Sequence, residues 1–277
     1  MRARLLGRRR LRRTPVGVVI VLLFFAVALL GPWLAPFDPG EIDLRHQFQL
    51  PSTLHPLGTT DNGVDILSVL LHGARLAGIV GVLVVGISLL LGTAMGTVAG
   101  YRGGMSDHAI TGLADLLQAF PSIVLNIAIL ALVARPGTSH LVLALAVNGW
   151  VLYARVARAQ TFTIRELDYV QAARALGLSE GRILARHIVP NLVGPLVVQA
   201  TSGLGAAILA ESTLSFLGLG PGKDASWGAL LDQGSAVLLR FPHVALVAGG
   251  TIAITVLGFN LAGDWLRDRL DPRTTEP

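Results

Sequence analysis

The sequence predicts an all-α, polytopic membrane protein: a helix bundle of about six transmembrane helices with both termini cytoplasmic. Three observations carry this. Of 277 residues, 52% are hydrophobic and only 14% charged, against about 25% charged in a soluble domain. The charges are also confined. They leave uncharged runs at 14–37, 76–101, 116–134, 136–154, 187–210 and 241–263, each close to the roughly 20 residues that a spanning helix needs. The bases, finally, are shared unevenly between the two sides that alternating spans define. Seventeen lie on one side, namely seven within 2–13, Arg102, six from Arg155 to Arg186, and Arg267, Arg269 and Arg273. Five lie on the other: Arg45, Arg75, Arg135, Lys223 and Arg240. Cytoplasmic loops hold the excess of Lys and Arg, so the net charge of +5 is a topology signal and argues against nucleic-acid binding. With no Cys, disulfides, thiolate metal sites and a cysteine nucleophile are excluded.

Residues 1–14 are read as an arginine-rich cytoplasmic N-terminus and 15–75 as a first helix followed by an extracytoplasmic loop containing Pro36, Pro39, Pro51 and Pro56. A basic start before an apolar run is also the pattern of a secretory signal. Here the run is longer than a signal core, and Pro36 follows Ala35, the one residue resembling a cleavage site, so an uncleaved anchor is expected. Residues 76–264 form a five-helix transmembrane domain and 265–277 a cytoplasmic tail. In the second helix Gly92, Gly96 and Gly100 make one smooth face for close helix packing. The third span is expected to begin nearer Ala109, with Asp115 inside it. After the fifth helix, Glu211 followed by Leu214, Phe216 and Leu217 suggests a segment folded back against the bundle; a loop skimming the surface is the alternative.

The cytoplasmic segment 155–190 is the most informative. From Tyr169 it reads YVQAARALGLSEGRILARHIVPN. Val170, Ala173 and Leu176 recur at helical spacing, and Gly177 can end a helix in the left-handed conformation. Ser179 is a candidate N-cap for a second short helix, with Glu180 in its first turn, Arg186 and His187 near its end, and Pro190 stopping it. Small residues at Ala172, Ala173 and Ala175 make the first helix slim enough to enter a partner's groove. An amphipathic helix lying on the anionic inner leaflet fits the pattern equally. Polar residues at membrane depth are costly and often functional: Asn126, Asn148, Gln199, Ser202, Thr255 and Asn260 are candidates for lining a path or, equally, for bonding a neighbouring helix. Asp264, Arg267, Asp268 and Asp271 read as capping and interface charges.

YVQAARALG…RHIVPN resembles the EAA loop of ABC importer permeases, with an alanine pair, a glycine and a downstream proline. The likeness extends over nearly the whole chain. HPLGTTDNGVDILSVLLHGAR (55–75), AFPS (119–122), WVLYARVAR (150–158), RELDYV (165–170), STLSFLGLG (212–220), SWG (226–228) and FNLAGDWLRDRLDPR (259–273) are similar to the C-type permease subunit of dipeptide, oligopeptide and nickel importers. The resemblance implies the type I ABC importer permease architecture in a prokaryotic inner membrane. It implies a heterodimer with a second, B-type permease, one or two cytoplasmic ABC ATPases holding ATP and magnesium, and an extracytoplasmic binding protein. Tyr169, Gln171, Ala172, Ala173, Ala175, Leu176 and Gly177 would then form the ATPase-coupling helix, whose movement switches the bundle between inward- and outward-facing states. The chain departs from the family at Gln171, where Glu is usual, at Val64 and Val69, where Arg is usual, and at Thr60, where Asp is usual.

No cofactor is expected in this chain and no catalysis by it. A Walker A motif needs Gly-Lys-Ser/Thr, and Lys223, the one lysine, precedes Asp224. The seven histidines show no metal-site spacing. Peptides are the expected cargo, with nickel the alternative in the same family. An ion-coupled transporter working alone would want ionisable groups buried mid-span, and a membrane enzyme a convergent cluster of His, Asp or Ser; neither pattern is present.

Overall fold

The computed structural model describes residues 16–222 and 225–270. The seven N-terminal arginines, Lys223, Asp271 and Arg273 lie outside the described residues. The elements are α1 (Val16–Leu34), α2 (Ile66–Arg102), α3 (Gly104–Gln118), α4 (Ser122–Ala131), α5 (Thr138–Ile164), α6 (Asp168–Ala175), α7 (Glu180–Ile183), a π-helical turn (Leu184–Ile188), α8 (Val189–Phe216), α9 (Trp227–Ala236) and α10 (Pro242–Leu270). Five of the helices are long and apolar enough to cross a membrane, and the bent pair α3–α4 makes a sixth if it is one span.

The organising contact is between α2 and α5. A Cβ on Gly92 would stand 2.7 Å from Tyr153 Cβ, one on Gly96 2.8 Å from Ala154 Cα, and one on Gly100 2.7 Å from the Arg158 carbonyl. The smooth glycine face expected from the sequence is therefore filled by α5 backbone, the close approach that small residues at four-residue spacing permit. Both numbers rise together along this seam, so α2 and α5 run parallel. By the same offset Thr138 lies level with Val80, about 33 Å along α2 from Arg102 at 1.5 Å per residue. Residues 103–137 must return the chain over that distance, roughly one bilayer core. The return is made by α3 and α4, bent at 81°, neither of which is long enough to span alone. The third span is thus a broken one. It breaks at Phe120-Pro121, where proline denies the preceding residue its helical conformation.

The other pairs are antiparallel. Gly31 of α1 meets Leu71 of α2, Gly81 of α2 meets Ile208 of α8, Gly205 of α8 meets Phe259 of α10, and Gly258 of α10 meets Ile20 of α1. These pairings bring Val16, Arg102, the 165–188 segment and Leu270 to one end of the bundle. Nine of the 13 described arginines are at that end.

Several helix limits differ from those the sequence predicts. α2 begins at Ile66, ten residues before residue 76, because Asp65 caps it by accepting from Ser68 N (2.8 Å); Arg75 and His72 are helical. α5 continues ten residues past 154 and α10 seven past 263, since a helix leaving the apolar layer can carry charges on its wet faces. Pro190 does not stop the second short helix. It falls in the first turn of α8, where its missing N–H is tolerated, and the π-helical turn joins α7 to α8 as one run, 180–216.

At the opposite end the helix does not stop at Glu211 as expected: Leu214 and Phe216 remain in α8, and the chain folds back only beyond them, after the turn at Gly218 (φ +77°). Glu211 is 1% exposed and accepts from Ser215 (2.7 Å), Ser226 (3.0 Å) and Ser212 (3.2 Å). Ser226 Oγ also accepts from Gly228 N (3.2 Å) and so caps α9. Trp227 donates from Nε1 to Leu70 O (2.9 Å) and joins an aromatic cluster with Phe24 and Phe259. The 35–65 loop is held by His55 and Ser68 on buried Asp65 and by Phe48 stacked on Phe241 at 4.4 Å. Val64 and Val69, at positions where the resemblance leads to an expectation of arginine, pack with Ile66, Leu230 and Val244.

Replacement of Gly96 by Leu is expected to force α2 off α5. Overpacking against backbone costs about 3 kcal/mol or more, an apparent Tm loss of roughly 6 to 12 °C. Gly86→Leu, on the same helix with nothing within 4 Å of its Cβ position, is expected to change Tm little; thermal unfolding in detergent compares the two.

Candidate functional site: an elbow at one end and a polar cavity within

α6 and α7 form a jointed elbow at the arginine-rich end. α6 ends in a Schellman turn: Gly177 has φ +78°, Gly177 N donates to Arg174 O (3.0 Å) and Leu178 N to Ala173 O (3.2 Å). These are the 5→2 and 6→1 bonds of that motif, so the left-handed role of Gly177 holds. Ser179 occupies the N-cap position of α7, but its side chain makes no capping bond; its carbonyl accepts from Arg182 N and Ile183 N instead.

The elbow has an anchored face and an open one. Val170, Ala173 and Ile183 are buried in the main core with Leu192 and Ile188. Leu176 is not on that face. It follows the last helical residue, and the turn at Gly177 throws it outward, leaving it 81% exposed. Ala172, Ala175 and Gly177 are also exposed, as is Tyr169, which stacks on His187 and accepts from Asn191 Nδ2 (3.3 Å). The open surface is therefore small residues around one protruding leucine, beside Arg174, Arg182 and Arg186.

Gln171 has a defined task. Its Nε2 donates to Arg165 O (3.1 Å) and faces Glu166 Oε2 at 3.4 Å. Both partners are acceptors, so the amide nitrogen is required there, and a carboxylate could not donate. The Arg165 side chain reaches the other way. Nη1 donates to Gly100 O (2.8 Å) and Tyr101 O (3.3 Å), carbonyls at the end of α2 that lack helical partners. Its guanidinium lies 4.5 Å from the Phe162 ring, and that of Arg158 lies 4.8 Å from the same ring. Arg158 in turn grips Asp107 of α3 with Nε (2.5 Å) and Nη2 (2.6 Å), the two-pronged geometry that guanidinium favours. Sequence reasoning treated these arginines as topology charges alone. The signal it passed over is Arg158, Phe162 and Arg165 at i, i+4 and i+7, one stripe that runs along α5 to the residue capping its end.

A cavity of about 570 Å³ lies between α2, the α3–α4 bend, α5 and α8. Asn126 and Asn148, both candidates from the sequence, line it together with Ser88, Gln118, Ser122 and Tyr153. Ser88 Oγ, Asn126 Oδ1 and both amide atoms of Asn148 are buried without a hydrogen-bond partner, and no lining residue is charged. Buried polar atoms are normally paired; three such side chains facing one space equip it for a polar, uncharged guest. The remaining candidates are elsewhere. Asn260 lines a separate groove between α8 and α10 with Ser212 and Thr213. Ser202 abuts Gly263, Thr255 is buried in α10, and Gln199 is half-buried in α8 and lines none of the principal cavities among the described residues.

Six passes, four of which line an uncharged cavity with unpaired polar side chains in its wall, and a jointed helix pair exposed at one end define a polytopic membrane protein of the transport class. Residues 88–276 match the family described as binding-protein-dependent transport system inner membrane component, and residues 7–51 match the N-terminal TM domain of oligopeptide transport permease C; the chain belongs to the former family. It is 39% identical to the dipeptide transport system permease protein DppC of Alkalihalophilus pseudofirmus, over 93% of this chain and 85% of that protein. It is 37% identical to the oligopeptide transport system permease protein OppC of Bacillus subtilis, with the same coverage. A putative peptide transport system permease protein of Brucella suis is 41% identical over 98% and 90% of the two chains. The fold is shared with an inward-facing structure of the MetNI methionine ABC transporter, at TM-score 0.61 and 16% identity over 73% of this chain and 96% of that one.

Gly177→Ala is expected to destabilise the elbow by about 1 kcal/mol, the cost of a side chain in the left-handed region, since nothing within 4 Å obstructs the added methyl. Gln171→Glu removes the donor to Arg165 O and sets a carboxylate against Glu166. Both variants should speed amide hydrogen exchange in 166–178 while leaving α2 protected.

Proposed function

We propose that the chain is the membrane-spanning permease subunit of an ATP-driven importer of short peptides in a prokaryotic inner membrane. It pairs with a second, B-type permease, and the arginine-rich end faces the cytoplasm. There the exposed Ala172–Ala175–Leu176–Gly177 surface seats in a groove of an ATPase subunit, while a binding protein delivers cargo at the opposite end. The subunit is non-catalytic and needs no cofactor; ATP and magnesium belong to the partner ATPases.

The observation that carries this reading is the elbow, whose apolar residues are divided between an anchored face and an exposed, slim one. A helix meant to lie on lipid would turn Val170 and Ala173 outward along with Leu176. Instead they are buried in the bundle, so a displacement of the open face is passed to the helices behind it. Peptide is favoured over nickel by the names of the relatives. The cavity agrees, because Ser88, Asn126 and Asn148 offer the donors and acceptors that match main-chain amides, and these three are the proposed path residues on this subunit. Gln199, Ser202, Thr255 and Asn260 lie off that cavity, Asn260 exposed in a groove of its own.

The test is reconstitution in liposomes of the chain with the permease, ATPase and binding protein encoded beside it. Uptake of a labelled di- or oligopeptide should require ATP and all partners, and should fall with Leu176→Asp, which places a charge on the docking surface. Peptide uptake by the purified chain alone under an ion gradient would contradict the assignment, as would ATP-driven uptake of nickel and not of peptide.

A further inference from the structure

α3 is weakly attached to the bundle it belongs to. Of its 15 residues only Ala114 is buried, packed with Trp150, Val151 and Ala154 of α5, with Ile110 and Leu117 of α3 and Met95 of α2 at the edge of the same cluster. Its junction with α2 is Gly103-Gly104, with φ of +65° and +54°. Two successive residues in a region closed to most side chains make a joint that does not carry the direction of α2 into α3. At its far end the 81° bend leads into α4. The residues of that bend, Leu117, Gln118, Phe120, Pro121 and Ser122, form one wall of the polar cavity. A swing of α3 about the glycine joint would therefore open or close that cavity.

Two ion pairs resist such a swing, and both reach α5. Asp115 meets Arg155 Nη2 at 2.9 Å in an exposed pair, with side chains 70% and 52% accessible, and pairs of that kind contribute little. Asp107 is 13% accessible and is held by both Nε and Nη2 of Arg158. Arg158 shares the Phe162 ring with Arg165, which caps α2 through its side chain and is bonded by Gln171 of the elbow through its carbonyl. Contacts thus run without a gap from α6, through one stripe of α5, to the base of α3.

We propose that α3–α4 is a lever that gates the polar cavity, and that the Asp107–Arg158 pair is the strut through which movement of the elbow reaches it. The proposal rests on the importer reading. Asp107 and Arg158 are positioning residues: they touch no cargo, and they act by making α3 follow α5 when an ATPase displaces α6. Coupling between distant sites needs an element with two arrangements that both sites bias, and a helix hinged at Gly103-Gly104 and bent at Pro121 is such an element.

The experiment uses the complete transporter in liposomes, with binding-protein-stimulated ATP hydrolysis and peptide uptake measured on the same preparation. In D107R and in R158D, hydrolysis should persist while peptide moved per ATP falls roughly fivefold or more, the lower end of inter-site coupling effects. The exchanged pair D107R/R158D should recover most of the lost uptake. A merely structural salt bridge would lower assembly, hydrolysis and uptake together, and that result overturns the proposal, as does an exchanged pair no better than the single variants. R158Q, which removes the charge and the two-pronged grip but puts no like charge beside Asp107, gives a second readout by amide hydrogen exchange on the assembled complex. Residues 104–118 should exchange faster while α2 and α5 remain protected, and unchanged exchange in α3 would also overturn the strut. If the wild-type complex moves no peptide, the importer reading fails instead, and the exchange measurement still decides whether Arg158 holds α3.

Discussion

The structure depends on the parallel seam between α2 and α5. Gly92, Gly96 and Gly100 let the α5 backbone approach to where no Cβ would fit. Close packing of this kind holds helices together in lipid, where apolar side chains gain nothing by meeting one another. Because the paired helices are parallel, the chain between them must return across the bundle. That necessity explains why 103–137 crosses as a bent pair although its residues form no single spanning helix. It also puts the ends of α2 and α5 side by side, which is the condition for everything at the arginine-rich end.

From that end the site follows. The last carbonyls of α2 need donors, and Arg165, the residue immediately after α5, supplies them. With Arg165 so fixed, its carbonyl is presented to Gln171, and α6 is set against the bundle by Val170 and Ala173. The Schellman turn at Gly177 then reverses the chain within three residues, so that α7 and α8 can re-enter as one run and Leu176 is left outside. A surface for docking, a rigid anchor beneath it and a route inward through Arg158 thus come from one short stretch, 155–188.

Much of this was legible in the sequence, for identifiable reasons. The number and place of the spans were readable because bilayer thickness sets the length of an uncharged run. Gly92, Gly96 and Gly100 were readable because a four-residue spacing of glycines has few other uses in a membrane helix, and Gly177 because the residues before it keep helical period and those after it do not. Helix ends were less readable. α2 starts at Asp65 through a cap, and α5 and α10 run on into water, and neither event changes where charge begins. Leu176 was counted in one helical period with Val170 and Ala173 because spacing alone cannot say that a helix has already ended. Pro190 was read as a stop because the π-helical turn that accommodates it leaves no compositional trace. For the cavity, Asn126 and Asn148 were found by their cost in lipid, whereas Ser88 was not, a lone serine in a helix being unremarkable until two asparagines from other helices face it. The Asp107–Arg158 grip joins residues 51 apart and required the three-dimensional pairing of α3 with α5.

The central claim is that the α2–α5 seam forces 103–137 across the bilayer. It is tested most directly by one-sided thiol labelling in oriented membrane vesicles, and the cysteine-free sequence supplies no background from this chain. Cysteines introduced singly at Met105, Ser139 and Glu180 should divide, with Met105 and Glu180 labelled from the cytoplasmic side and Ser139 from the opposite side. Labelling of Met105 and Ser139 from the same side would show that α3–α4 does not cross and would contradict the account.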